Sequence, residues 1–134
     1  MASELKVDKF TGVTTAGSIL VTGEGNSTTT NLQQGLAKAW VFGGTDATVF
    51  DSLNVGSSTD HGTGDYSYTL SNAFSNALFS QTASASSTDQ HRTCTQNPGR
   101  HTASIMACET SDDAGDAVSL DNTNHCLTAH GDLA

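Results

Sequence analysis

The chain has 134 residues and a formal net charge of −9, from 14 Asp and Glu against five Lys and Arg. That length suits one domain, or one small domain with an arm, and the charge excludes a nucleic-acid partner because no basic stripe exists to displace counterions from phosphates. It argues equally against an anionic membrane surface, and no apolar run of about 18 residues is present to insert in a bilayer.

Only 35% of the residues are hydrophobic, and Ser and Thr make up roughly a quarter of the chain, well above ordinary usage. So thin a supply of apolar groups leaves two outcomes: partial disorder, or burial of strand faces against further copies of the chain. A single Pro and clear period-two alternation favour folding, and hence oligomerisation.

From the N-terminus, Leu5, Val7 and, with a slip, Phe10 alternate as a short strand, and Ser18–Thr22 predicts a second. Turn-rich stretches follow each, at Thr11-Gly12 and from Gly23 to Asn31. Glu4 and Asp8, with no apolar run around them, are not what an ordinary secretory signal contains. A two-strand piece is marginal in water, so residues 1–35 are expected to gain order by packing on other chains. They form an attachment arm, with Leu5, Val7, Phe10, Ile19 and Val21 as its anchoring side chains. The plainer alternative is a frayed terminus and a linker.

Gln33–Lys38 allows at most one helical turn before a second region, residues 36–134. There, short strands follow closely: Ala37–Phe42, Thr48–Val55, Tyr66–Leu70, Ala77–Ala83, Thr102–Glu109 and Asn124–His130. Their Gly, Asn, Asp and Ser punctuation predicts an all-β fold, a small antiparallel sandwich or barrel-like module. The clearest hairpin turn runs from Ser57 to Asp65, where Gly62 and Gly64 tolerate positive φ and Asp60 and Asp65 can cap backbone amides. The expected core is Trp40, Tyr66, Tyr68 and Leu70, joined by Phe42, Val49, Leu53, Val55, Phe74 and Phe79. Asp89–His101 holds the only Arg residues and the only Pro, and its Asn97-Pro98-Gly99 turn reads as an exposed hairpin tip.

Four motifs, Lys38-Ala39-Trp40-Val41, Asp51-Ser52-Leu53-Asn54-Val55, Asp60-His61-Gly62-Thr63-Gly64-Asp65-Tyr66 and Gly131-Asp132-Leu133-Ala134, carry a family likeness. Together they resemble a short module of marine bacteriophage fibre and virion-surface proteins, over Lys38 to Phe79 and again at the C-terminus. Ala2–Phe10 is similar to the openings of such proteins. The chain departs from the pattern at Val41–Asp46, where its loop is shorter, and at Leu53, where Phe is usual. The resemblance implies a virion structural protein made in the host cytoplasm and displayed on the particle exterior. It would be a homotrimeric tail fibre or tip module for host attachment, in contact with other virion proteins of the tail or capsid. A capsid head decoration or cement protein is the nearest alternative, and a secreted lectin-like or enzymatic β-sandwich a remote one.

Chemistry is sparsely indicated. Ser, His and Asp are plentiful, but no Gly-x-Ser-x-Gly elbow places a nucleophile, so the chain is read as no enzyme. His91, Cys94, His101, Cys108, His125 and Cys126 are of the types that bind zinc, but no close Cys pair gives a compact site, and no metal or other cofactor is expected. Three cysteines cannot all pair within one chain and read as small buried or half-buried thiols, with the histidines at the surface. In trimeric phage fibres histidines sometimes ligate an ion on the threefold axis, so the resemblance leaves an axial His open. Asp112, Asp113 and Asp116 lack the frame of a calcium loop and read as a solvated acidic turn. A recognition surface, if any, falls on His91, Arg92, Asn97, Arg100 and His101: Arg engages carboxylate or phosphate bidentately, and His and Asn suit sugar hydroxyls. An anionic host-surface glycan is the expected ligand, with pairing of these groups to nearby carboxylates as the alternative.

Overall fold

A computed structural model describes residues 4–13, 19–22, 29–88, 92–112 and 119–134. The chain divides at Leu36/Ala37 into two compact units.

In the first unit, β1 (Leu20–Thr22) pairs antiparallel with β2 (Thr29–Asn31), and one helical turn follows over Leu32–Gly35. The Leu32 amide closes this piece by donating to the Ile19 carbonyl at 2.9 Å. Residues 4–13 form no strand, contrary to the alternation of Leu5, Val7 and Phe10. An isolated alternating segment has no partner for its amides, so its period alone does not make it a strand.

The second unit is an all-β antiparallel sandwich of two four-stranded sheets. Its strands are β3 (Ala39–Gly44), β4 (Val49–Leu53), β5 (Val55–Asp60), β6 (Asp65–Leu70), β7 (Ser80–Ser86), β8 (Arg92–Gln96), β9 (Ile105–Asp112) and β10 (Asn124–His130). One sheet has the order β4-β3-β10-β7 and the other β5-β6-β9-β8. Asn54, at φ 61°, splits the run read as a single strand over Thr48–Val55, and the chain passes there from one sheet to the other. Asn tolerates this left-handed conformation because its short polar side chain bonds locally. Here its Oδ1 accepts from the Asn72 amide at 2.8 Å.

The hairpin between β5 and β6 follows the sequence closely. Asp60 Oδ1 accepts from the Gly62 amide at 2.9 Å, and Gly62 and Gly64 take φ of 120° and 71°. The strand before the turn runs further than expected, however, since Ser57–Asp60 belongs to β5 and not to the turn. Arg92–Gln96, read as part of an exposed tip, is the edge strand β8.

The core lies between the sheets: Val41, Tyr66, Tyr68, Phe74, Met106, Cys108 and Leu127 are all buried, with Leu70 and Phe79 nearly so. Each large side chain so placed contributes about 1.5 to 3 kcal/mol of apolar burial. Trp40 is not among them. Ala39 and Val41 face inward, which puts Trp40 half-buried on the outer face, opposite Leu53 and Thr128, with Phe42, Val49 and Leu53 also exposed. Trp40→Ala is therefore expected to cost about 1 to 2 kcal/mol, against the 3 to 5 of a core aromatic. Thermal unfolding of the variant checks this, with a fall of only a few degrees expected.

Candidate functional site

The segment expected to recognise a ligand turns inward. Asn97 is buried: its Nδ2 donates to Glu109 Oε1 at 2.8 Å and to Asp65 Oδ1 at 3.1 Å, and its Oδ1 accepts from the Gly99 amide at 3.0 Å. Arg100 grips the Asp65 carboxylate, with Nε 2.9 Å and Nη2 2.8 Å from Oδ2 and Nε 3.1 Å from Oδ1, a charge-assisted contact. The Asn97-Pro98-Gly99 turn is thus pinned to the start of β6 and the middle of β9. The carboxylates that Asn97 and Arg100 engage are Asp65 and Glu109.

His101 packs at a tilt against Phe79 with ring centres 4.2 Å apart, and its Nε2 donates to the Ala77 carbonyl at 3.2 Å. Burial lowers its pKa, which favours the neutral ring that such packing needs. Arg92 lies half-buried on β8, in register with Asp112 on β9. His91 and Asp113–Asp116 lie outside the described residues. The four described candidates, Arg92, Asn97, Arg100 and His101, therefore do not converge on one open surface. Beside the turn there is instead an open groove lined by Thr59, His61, Ser67, Thr69 and Arg100, in which His61 Nε2 and Ser67 Oγ are 2.8 Å apart. No carboxylate among the described residues orients that histidine, and Ser67 sits buried in mid-strand, so the pair lacks the makings of a nucleophilic site.

The most developed polar constellation is one the sequence did not reveal. His125 is buried between the sheets, stacked on Tyr66 at 4.7 Å and bonded through Nε2 to the Tyr68 hydroxyl. Asn122 Nδ2 donates to Nδ1 at 3.0 Å, which places the ring proton on Nε2. Thr110 donates to the Leu120 carbonyl at 2.7 Å beside them, and Tyr66 donates to Asp121 Oδ1 at 2.9 Å. Desolvation lowers the pKa of His125 to about 4, and burial raises both tyrosines well above the usual phenol range. His125, Tyr68, Asn122 and Thr110 form an uncharged cluster with each group hydrogen-bonded, a polar rivet through the sandwich. A lone His-Cys dipeptide offers no hint of this, because the partners come from β6 and from the segment before β10. His125 is accordingly not the surface histidine that was expected.

The cysteines are all free thiols: Cys108 buried, Cys94 half-buried against the core and Cys126 exposed. The two inner thiols act on each other: Cys108 lowers the pKa of Cys94, and Cys94 together with burial raises that of Cys108. Among the described residues no three of His, Cys, Asp and Glu are grouped to hold a metal. The anchoring candidates Leu5, Val7, Phe10 and Val21 are exposed, and Ile19 is partly so. Comparison with protein-family models, with curated proteins and with solved structures finds no match to this chain.

Proposed function

We propose that this chain is a structural protein of a bacteriophage virion, a homotrimeric tail-fibre or tip module displayed on the particle exterior. The observation that carries the reading is the state of the N-terminal unit. Among its described residues not one is buried, and Leu5, Phe10, Val13 and Leu20 each leave more than half of their surface open. A β-hairpin and an extended segment with no core of their own become stable only against another surface. A self-contained sandwich that carries such a piece is built to be mounted on something. The motifs between Lys38 and Tyr66, which resemble those of phage virion-surface proteins, supply the identity of that something.

A second reading, a head decoration or cement protein, gains from one observation. Asn97, Arg100 and His101 spend their side chains inside the module, which removes the cationic tip a host-binding fibre would present. The number of copies per purified virion decides between the two: a few dozen or fewer belongs to a tail, hundreds to a head.

Mounting through the arm has its own test. Phe10→Ser should leave the melting of the sandwich unchanged and reduce incorporation into particles by about tenfold or more, the effect of removing about 1.5 to 3 kcal/mol of apolar burial. Particles that incorporate the variant at the normal level would show that the arm is not the anchor.

A further inference from the structure

The outer face of the sheet β4-β3-β10-β7 carries a surface with no role in the fold just described. Two cross-strand rows define it, Leu53–Trp40–Thr128–Thr82 and Asp51–Phe42–Cys126–Ser84. One half of the face is a raised apolar ridge, where Phe42 and Phe50 lean together at 5.4 Å beside Trp40 and Leu53. Phe42, Phe50 and Leu53 are 39, 57 and 47% exposed. The other half is a trough of small side chains, with Thr82, Ser84, Cys126 and Thr128 forming its floor and Phe42 its wall.

The geometry points to this face as the surface on which copies of the chain meet, which deepens and rests on the reading of the protein as a homotrimer. Two features identify the occupant as a second copy. First, ridge and trough lie side by side on one face, so around a threefold axis the ridge of each copy can fill the trough of one neighbour while its own trough receives the ridge of the other. That is the complementarity a symmetric assembly requires. Secondly, the charge allows it here. With 14 acidic residues in a chain of net charge −9, contact elsewhere tends to bring carboxylates together. On this face the described strand residues that point outward include one carboxylate, Asp51, which already accepts the Ser52 amide at 2.8 Å. An apolar centre with little charge is the composition of an oligomer interface. Cys126 lies between the two halves and reports on the contact, since it is the one exposed thiol of the three.

The test uses the full-length protein, sedimentation velocity and the rate of labelling by a thiol-reactive maleimide. Wild type should sediment as a trimer with Cys126 protected. Phe42→Asp, on the ridge, and Ser84→Lys, in the trough, should each sediment as a monomer in which one thiol labels rapidly. Both side chains point away from the core, so far-UV circular dichroism should be unchanged. Four results would overturn the proposal. A wild-type trimer whose Cys126 labels rapidly, or variants that remain trimers, would place the contact on another face and leave the trimer reading intact. A wild-type monomer with Cys126 protected would mean that the chain's own N-terminal unit covers the face. A wild-type monomer with Cys126 reactive would remove both this interface and the trimer reading.

Discussion

Gly43→Ala is expected to unfold the sandwich, or to lower its stability by about 3 kcal/mol or more. A methyl group there would lie 2.6 Å from the Tyr68 hydroxyl oxygen and 2.8 Å from Nε2 of His125. Neither atom can yield cheaply. Tyr68 is fully buried, and His125 is held by Asn122 on one side and by the Tyr66 ring on the other. The substitution therefore adds overpacking to the loss of the one hydrogen bond that joins the two sheets at this point, leaving buried polar atoms without partners. Gly56→Ala is the control: at this exposed site the added methyl's one tight contact is the Ser71 hydroxyl at 3.2 Å, with backbone atoms of Thr69 and Ser71 at 3.7 and 3.8 Å, and it should cost less than about 1 kcal/mol. Denaturant unfolding of the two variants measures the contrast. Equal midpoints would mean that the Tyr68–His125 link is not rigid.

The second large effect is on acid stability. The folded-state pKa of His125 is near 4 because burial disfavours the charged ring, whereas an unfolded histidine titrates near 6.5. Between those values the unfolded chain binds a proton that the native chain does not, so stability from this group is complete above about pH 6.5. It falls as the pH drops toward 4 and loses nothing more below that. The full loss is about 3 kcal/mol, from a shift of about 2.5 units at 1.36 kcal/mol each. Acid acts on the rest of the chain as well, so the measurement is a difference between wild type and a variant. The gap in melting temperature between wild type and His125→Gln should be wide at pH 7 and narrow toward pH 4. A gap independent of pH would show that His125 is not the buried neutral group described here.

Much of the strand order was legible before any coordinates, because Gly, Asn, Asp and Ser clusters mark where an extended chain must turn. The β5–β6 hairpin is the clearest case: Asp60 can cap a local amide and glycine can take positive φ at Gly62 and Gly64 without help from distant residues. β8 was missed because its Thr, Cys and Gln carry no apolar period, and an edge strand of that kind is defined by the neighbour it pairs with, here β9. The candidate recognition residues were legible as chemistry but not as geometry. Arg100 is a carboxylate-binding group in any setting, and only the fold brings Asp65, thirty-five positions away in the chain, to its guanidinium.

By itself the sequence determined the all-β class, the hairpin, the acidic character and the shortage of core-forming side chains, all of which rest on local conformational preference and composition. It also determined that residues alternate along β3, but not which set faces in. Ala39 with Val41 and Trp40 with Phe42 satisfy a period of two equally well, and a one-residue change of parity exchanges them completely. The tertiary structure decided in favour of the smaller pair. The space between the sheets is already filled by Tyr66, Tyr68 and His125, which pass so close to β3 that Gly43 cannot carry a side chain, and the larger aromatics are displaced to the outside. The same volume constraint that buries a histidine in a thin core thus leaves Phe42 and Trp40 on the outer face of the sheet.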